Sequence, residues 1–456
     1  MRPLALLVLL LPGCSPAQTW EKVLAPGVVY RSEVRFDPPL VIHAIRVRAG
    51  AQAVKVRPAL ANEKVFDSVT EDGRASLTEI VRQTSAIAAV NADFFPWTGD
   101  PLGLMVSDGE LVSRPYPGRS ILAWGGSKPQ LSRAAWSGTV QFPGGEAKLS
   151  GLNEQLGAEG IVLVSPAGGK VSAKAPATIV ILSHDRPLGP TGTVETSVTT
   201  VVKEQTELPV RQGQLAIAAT GKSAEALMSL KRGDKVSVSM ETKGADWEKH
   251  RFAIGGGPAI VTGGDPLIAW ESEAFNAAFA TDRHPRTAVG VTAEGDIWLV
   301  VVDGRQAHSR GATLLELSKI MAGLGCSEAL NLDGGGSSEL AIGRSVVNRP
   351  SDGAERPIAN ALVVTTPFVT LDGSYVIAGR DEVALGEGAD YRLLERDGEV
   401  PGASVVWSAE GAAWIDQGGR LRPTQTGEAV VRAWIAGNVV EKRIRVVSRA
   451  PKEATG

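Results

Sequence analysis

"TLLELSKIMAGLGCSEALNLDGGGSSEL", residues 313–340, sets the terms for the rest of the chain. Thr313 and Glu316 make a capping box, and Leu314, Leu317, Ile320, Met321 and Leu324 form the apolar stripe of the helix it starts. Gly323 and Gly325 end that helix. A short strand follows and closes on Asn331-x-Asp333. An earlier segment, "SLTEIVRQTSAIAAVNAD" at 76–93, repeats the order: capping box, helix, strand, then Asn91-x-Asp93. Two such units read either as a duplication that brings two similar strand ends to one site, or as a chance likeness of helix–strand units.

The intervening sequence is different. Hairpins are expected in "GLMVSDGELVS", turning at Asp108-Gly109, and in "TAVGVTAEGDIWLVVVDGR". Residues 137–252 are rich in Val, Thr, Gly and Pro and read as a β-rich insert. "RPIANALVVTT", 356–366, reads as a closing strand. After Pro367 the texture changes to regularly spaced strands over 368–448, which predicts a C-terminal all-β immunoglobulin-like sandwich. The expected organisation is therefore 1–17 as a leader, 18–366 as the catalytic domain, the sandwich, and a tail at 449–456.

The chain has 456 residues, 43% of them hydrophobic, and a formal charge of −3. That supports a sizeable core and leaves no electrostatic footprint for nucleic acid. Arg2 and the short apolar run Leu4–Leu11 form an export signal. Two processing readings stay open: lipidation at Cys14 within Leu11-Pro12-Gly13-Cys14, and ordinary cleavage after Ser15-Pro16-Ala17. Either way the chain is expected to be exported, and a lipid on Cys14 is the only membrane attachment foreseen. Cys326, the other cysteine, reads as a small buried residue.

Chemistry concentrates in a few places. Side chains alternate along a strand, so Asn331 and Asp333 share a face, as do Asn91 and Asp93. Gly334, Gly335 and Gly336 let backbone N–H groups approach an anion, with the Ser337 hydroxyl beside them. Asp-Gly is also a common turn dipeptide, and the chain has several. Asp303 ends the buried-type strand "IWLVVVD". Arginine suits phosphate or carboxylate through its planar fork; "TDRHPRTAVG" supplies His284 and Arg286, and "DGRQAHSRG" supplies Arg305. His43, His184 and His250 read as structural or exposed. The carboxylates allow a divalent cation, Ca²⁺ or Mg²⁺, without signalling one.

Taken in order, "VNADFF", "HPRTAVGV", "VVDGR", "LNLDGGGSSEL" and "RPIANALVV" resemble the phosphodiester glycosidase family over roughly residues 25–366. Glu339 departs from the small or polar residue expected there. The resemblance implies a mixed α/β (α+β) catalytic domain and hydrolysis of the glycosidic bond in a sugar-1-phosphodiester, in a surface glycan or wall polymer. It places Asn91, Asp93, Arg286, Asp303, Asp333 and the glycine loop near the site. With the residues read above, the catalytic candidates are Asp333, Asp303 and Asp93, and those expected around the substrate are Asn91, His284, Arg286, Arg305, Asn331, Gly334, Gly335, Gly336, Ser337 and Asn360. Two other classes compete: a metal-dependent phosphodiesterase cutting P–O, and a non-catalytic glycan-binding envelope protein.

Overall fold

The computed structural model describes residues 17–66, 73–126, 128–367, 373–396 and 398–449. The leader and Cys14 lie outside them. Two sheets packed face to face carry the site. The larger runs Gln18–Ala25, Val28–Phe36, Pro39–Val47, Ile297–Val302, Arg286–Thr292, Cys326–Asn331, Ala259–Thr262 and Asp265–Pro266 in spatial order. The smaller runs Ser345–Val346, Leu340–Ile342, Ala88–Asn91, Asn360–Thr365 and Lys55–Leu60. Between them lies one core, in which Tyr30, Ile45, Leu299 and Leu330 meet Val56, Val90, Leu340 and Leu362. Burying such a run of aliphatic side chains is the main force holding the two sheets together.

Each sheet also has a helix on its outer face. Helix Leu314–Gly323 carries the expected Thr313–Glu316 capping box. It packs Leu314, Leu317 and Met321 against Trp298, Val300 and Val302. Helix Leu77–Thr84 is capped by the Ser76 hydroxyl, which accepts from Glu79 N. It packs Leu77, Ile80 and Val81 on Ala89, Ala341 and Val363. The layers thus run helix, sheet, sheet, helix. Strand Ile297–Val302 is covered on both sides, which explains its unbroken apolar run.

The expected mixed α/β catalytic domain is not what forms. Strand accounts for 50% of the residues and helix for 11%. The two helix–strand units do fold as read, but neither propagates. Their strands join neighbours in antiparallel ladders through hairpins such as Arg286–Thr292 with Ile297–Val302. A parallel sheet needs a crossover for every strand; two helices cannot supply that many.

The middle of the chain forms a second eight-stranded sheet, drawn from residues 135–243, with the short strands Gly145–Lys148 and Gly151–Leu152 at its two edges. A five-stranded sheet, Glu110–Ser113, Met105–Ser107, Phe252–Gly255, Ser120–Trp124 and Gln130–Arg133, joins it to the site. The hairpin at Asp108-Gly109 is its edge. Residues 376–447 make three small sheets round their own core, which includes Ile377, Tyr391, Trp407, Leu421, Val431 and Ile444. This C-terminal unit is tied to the rest. Trp434 enters the central core, Lys22 donates to the Gly402 carbonyl, Arg349 bonds Gly411 O at 3.2 Å, and the Trp414 ring stacks on His308 at 5.6 Å.

Candidate active site

Both Asn-x-Asp strand ends arrive at the same edge of the two sheets and are stitched together there. Asp333 N donates to Ala92 O at 2.9 Å, and Asn91 Nδ2 donates to Asp333 O at 2.7 Å. Asn91 Oδ1 accepts from Thr287 Oγ1 at 2.7 Å and from Glu339 N at 3.2 Å. Asn360 holds the other aspartate, its Oδ1 accepting from Asp93 N at 2.9 Å. Asn331 acts differently from the same-face reading. Its Nδ2 donates to Gly257 O at 2.7 Å and Leu332 O at 2.9 Å, leaving Oδ1 buried with no partner. The chain leaves the strand at Asn331, so alternation no longer relates it to Asp333; Asn91 reaches across from the other sheet instead.

Asp93 is 2% exposed. Burial pushes its pKa up to about 7, against the pull of the Gly103 and Phe94 N–H groups and the charge of Arg119, and the neighbouring Asp333 carboxyl adds to the rise. Asp333 is partly exposed, and burial pushes it up to about 6, opposed by Ser337, Gly334 N–H and Arg356. Both carboxyls are thus raised toward neutrality, where one can hold a proton while the other is ionised. Gly103 is required at this point, since a Cβ there would stand 2.5 Å from Asp93 Oδ2.

Asp303, the third carboxylate, is closed off. It is 1% exposed and accepts from Asn348 Nδ2 at 3.0 Å and Arg349 N at 3.1 Å. His43 Nε2 and His308 Nε2 stand 3.6 and 3.5 Å from Oδ2, at the long edge of hydrogen bonding. Burial favours the protonated form, but the two histidines outweigh it and hold Asp303 well below the usual carboxylate range. Behind His43, Nδ1 meets the buried Tyr30 hydroxyl at 2.7 Å. His43, which reads as structural from sequence, is thus part of a buried polar network with Asp303. A fourth acid, Glu339, is fully buried. Oε1 accepts from Arg356 N at 2.7 Å, Oε2 has no partner, and burial pushes its pKa up to about 9.

Cations line this edge, though not as the sequence suggests. Arg286 is 1% exposed. Its Nε and Nη2 are spent on the carbonyls of Ala312, Phe279 and Asp282 at 3.0, 2.7 and 3.0 Å. Arg305 bonds His284 Nδ1 at 3.1 Å and lies over Gly335. Burial, Arg286 and Arg305 together push the His284 pKa down, so its imidazole is neutral near pH 7. The glycine loop turns two N–H groups inward: Gly334 N donates to Asp333 Oδ1 and Gly335 N to Pro285 O, each at 2.9 Å. A Cβ on Gly336 would overlap Arg356 Nη2 at 2.0 Å and push the end of that side chain aside. Arg356 Nη1 donates to Ser337 Oγ at 3.3 Å. Sequence reading passed over Arg119, Arg356 and the rings Phe94, Phe275 and Phe279; the Phe94-Phe95 pair right after Asp93 was the one visible signal. Among the described residues, no group of three or more His, Cys, Asp or Glu side chains is placed to hold a metal ion.

The family model for phosphodiester glycosidase matches residues 189–365. That stretch is similar to the phosphodiester glycosidase domain. It holds Asp303, Asp333 and the glycine loop, whereas Asn91 and Asp93 precede it. Over 114 residues the chain is 38% identical to the SPbeta prophage-derived uncharacterized protein YomE of Bacillus subtilis, covering 25% of this chain and 17% of that protein. Over 82 residues it is 37% identical to the N-acetylglucosamine-1-phosphodiester alpha-N-acetylglucosaminidase of Bos taurus, covering 18% of this chain and 15% of the relative. The matched stretches therefore span less than a fifth of either curated relative. A crystal structure of a hypothetical protein from Synechocystis shares the fold, with a TM-score of 0.62 and 24% identity over 77% of this chain and 64% of that one.

Proposed function

We propose that this domain hydrolyses the glycosidic bond of a sugar-1-phosphodiester, with Asp333 as base or nucleophile and Asp93 sharing the proton of the pair. One observation carries the reading: two adjacent carboxyls, both raised toward neutrality, meet where two sheets end. Asp333 is the more accessible and the lower of the two in pKa, so it is the member ionised first and the one a substrate reaches. A phosphomonoester is a good leaving group, so the reaction needs a base and a cation more than a strong acid. Asp303, saturated by its own donors, holds the loop that carries Arg305 and His308. The relatives' names support a sugar phosphodiester as the substrate class, and the N-terminal Arg2–Leu11 segment supports export to the envelope, where a surface glycan or wall polymer is the natural target.

Hydrolysis of a sugar-1-phosphodiester in ¹⁸O water tests this. Label on the anomeric oxygen of the released sugar is expected. Label on the phosphate would turn the assignment to P–O cleavage, and no turnover across a panel of such diesters would end it.

A further inference from the structure

Among the described residues, none accepts a hydrogen bond from the Arg119 Nε or Nη1. Arg119 closes a tight turn, its N donating to Tyr116 O at 3.2 Å, just before strand Ser120–Trp124. The guanidinium carbon lies 4.4 Å from the ring centroids of Tyr116 and Phe275 and 5.1 Å from that of Phe94. Its Nε and Nη1 are buried without a hydrogen-bond partner. Nearby arginines differ: Arg283 pairs with Glu316, Arg286 takes three carbonyls, and Arg356 pairs with Asp352. A half-buried guanidinium with two nitrogens out of water and only ring faces beside them is costly to keep, and an anion placed against it would repay that cost.

The surroundings hold it in place. The carboxylate of Glu273, 1% exposed, accepts from Ser120 N at 2.8 Å, Ser120 Oγ at 2.7 Å and Ala259 N at 2.9 Å. It so ties the residue after Arg119 to the segment that carries Phe275. Phe94, the third ring, follows Asp93 directly, and the charge of Arg119 is felt at Asp93.

We propose that Arg119 receives the phosphate of the substrate, its fork held for that group by Phe94, Tyr116 and Phe275. This rests on the phosphodiester glycosidase reading. The alternatives are weaker receivers. Gly334 and Gly335 turn their N–H groups inward, Arg286 has most of its donors committed, and Arg305 is exposed and bonded to His284. In the reaction the bond from the anomeric carbon to the phosphate oxygen breaks and its electron pair stays on phosphate. A water oxygen becomes bonded to that carbon, and a water proton is released through the aspartate pair. The charge gained by phosphate develops against the Arg119 fork.

The test compares Arg119→Ala and Arg119→Lys with the wild type on two substrates of the same sugar, a 1-phosphodiester and an uncharged aryl glycoside, with inorganic phosphate titrated by calorimetry. For Arg119→Ala, kcat/KM on the diester should fall about 10- to 100-fold, the span of a hydrogen bond to a charged group. The loss on the aryl glycoside should be at least tenfold smaller, and phosphate binding should weaken with the diester. Arg119→Lys keeps the charge without the fork and should fall between; it is the variant read if melting curves show that alanine unfolds the cage. Equal losses on both substrates, or unchanged phosphate affinity, overturn the proposal. Should the wild type turn over neither substrate, the function above fails instead, and the phosphate titration still decides the role of Arg119.

Discussion

Asp303 and Asp93 are both removed from water, at 1% and 2% exposure, and burial alone would push both carboxyls upward. They end on opposite sides of the ordinary value. Asp303 is met by Asn348 Nδ2, Arg349 N and two imidazoles. Asp93 has two backbone N–H donors, the charge of one guanidinium, Arg119, and the opposing influence of a second acid, Asp333. Desolvation is common to the two sites; the supply of donors and the sign of the neighbouring charge decide the outcome. A carboxylate surrounded by donors is a strut. One left short of them beside another acid is poised to exchange a proton.

The largest expected effect is at the poised pair. Asp333→Asn should lower kcat by about 10²–10⁴-fold, the worth of a positioned acid or base. Its stability should move the other way. With a raised folded pKa, Asp333 binds its proton more tightly in the folded state, so wild-type stability falls as pH rises from about 4 to about 6. An amide escapes that cost, so the variant should melt above wild type at pH 8 and equal to it at pH 4. Turnover close to wild type in a folded variant would pass the leading role to Asp93.

At the strut the signs reverse. Asp303→Asn can keep an oxygen for Asn348 Nδ2 and Arg349 N, but it puts an amide N–H₂ in place of the carboxylate oxygen that faces His43 and His308, which should cost about 3 kcal/mol of stability. The depressed pKa of Asp303 contributes stability that is present above its unfolded value, near 4, and lost as pH falls through the folded one. The gap between wild type and variant in melting curves should therefore be full at pH 7 and shrink in acid. A variant as stable as wild type at pH 7 would dissolve the distinction between the two kinds of site.

How much of this the sequence shows depends on whether the cause is local. The capping boxes at Ser76 and Thr313, the hairpin at Asp108-Gly109 and the two Asn-x-Asp strand ends are written within a few residues, and all are legible. The fold class is not, because two true helix–strand units look the same whether their strands enter a parallel or an antiparallel sheet. Nor is the division of labour among the aspartates. Asp303 and Asp333 both end apolar strands, and only the long-range arrival of His43, Asn348 and the 303–309 loop saturates one of them. Arg119 stayed invisible for the same reason: its cage is assembled from Phe94, Tyr116 and Phe275, which lie in three separate stretches of chain.

Glu339 offers the finest test, because it is buried like a strut and provisioned like a poised acid. One oxygen accepts from Arg356 N; the other has nothing, and its pKa rises to about 9. It is therefore protonated near neutrality, whereas the same side chain is ionised in the unfolded chain above about pH 4.5. The folded state holds more protons across that interval, so stability declines as pH climbs toward 9 and then levels off. Glu339→Gln keeps an oxygen for Arg356 N and puts an N–H₂ where the acid proton was. Its stability should match wild type near pH 4 and exceed it progressively above, by several kcal/mol at pH 8, read as a higher melting temperature. Its kcat should stay within about twofold, since neither form of Glu339 carries charge at neutral pH; Arg356 N, Ser337 Oγ and through them Asp333 keep their places. If Glu339→Gln melts below wild type at every pH, Glu339 is held as an anion in the folded protein and belongs with Asp303.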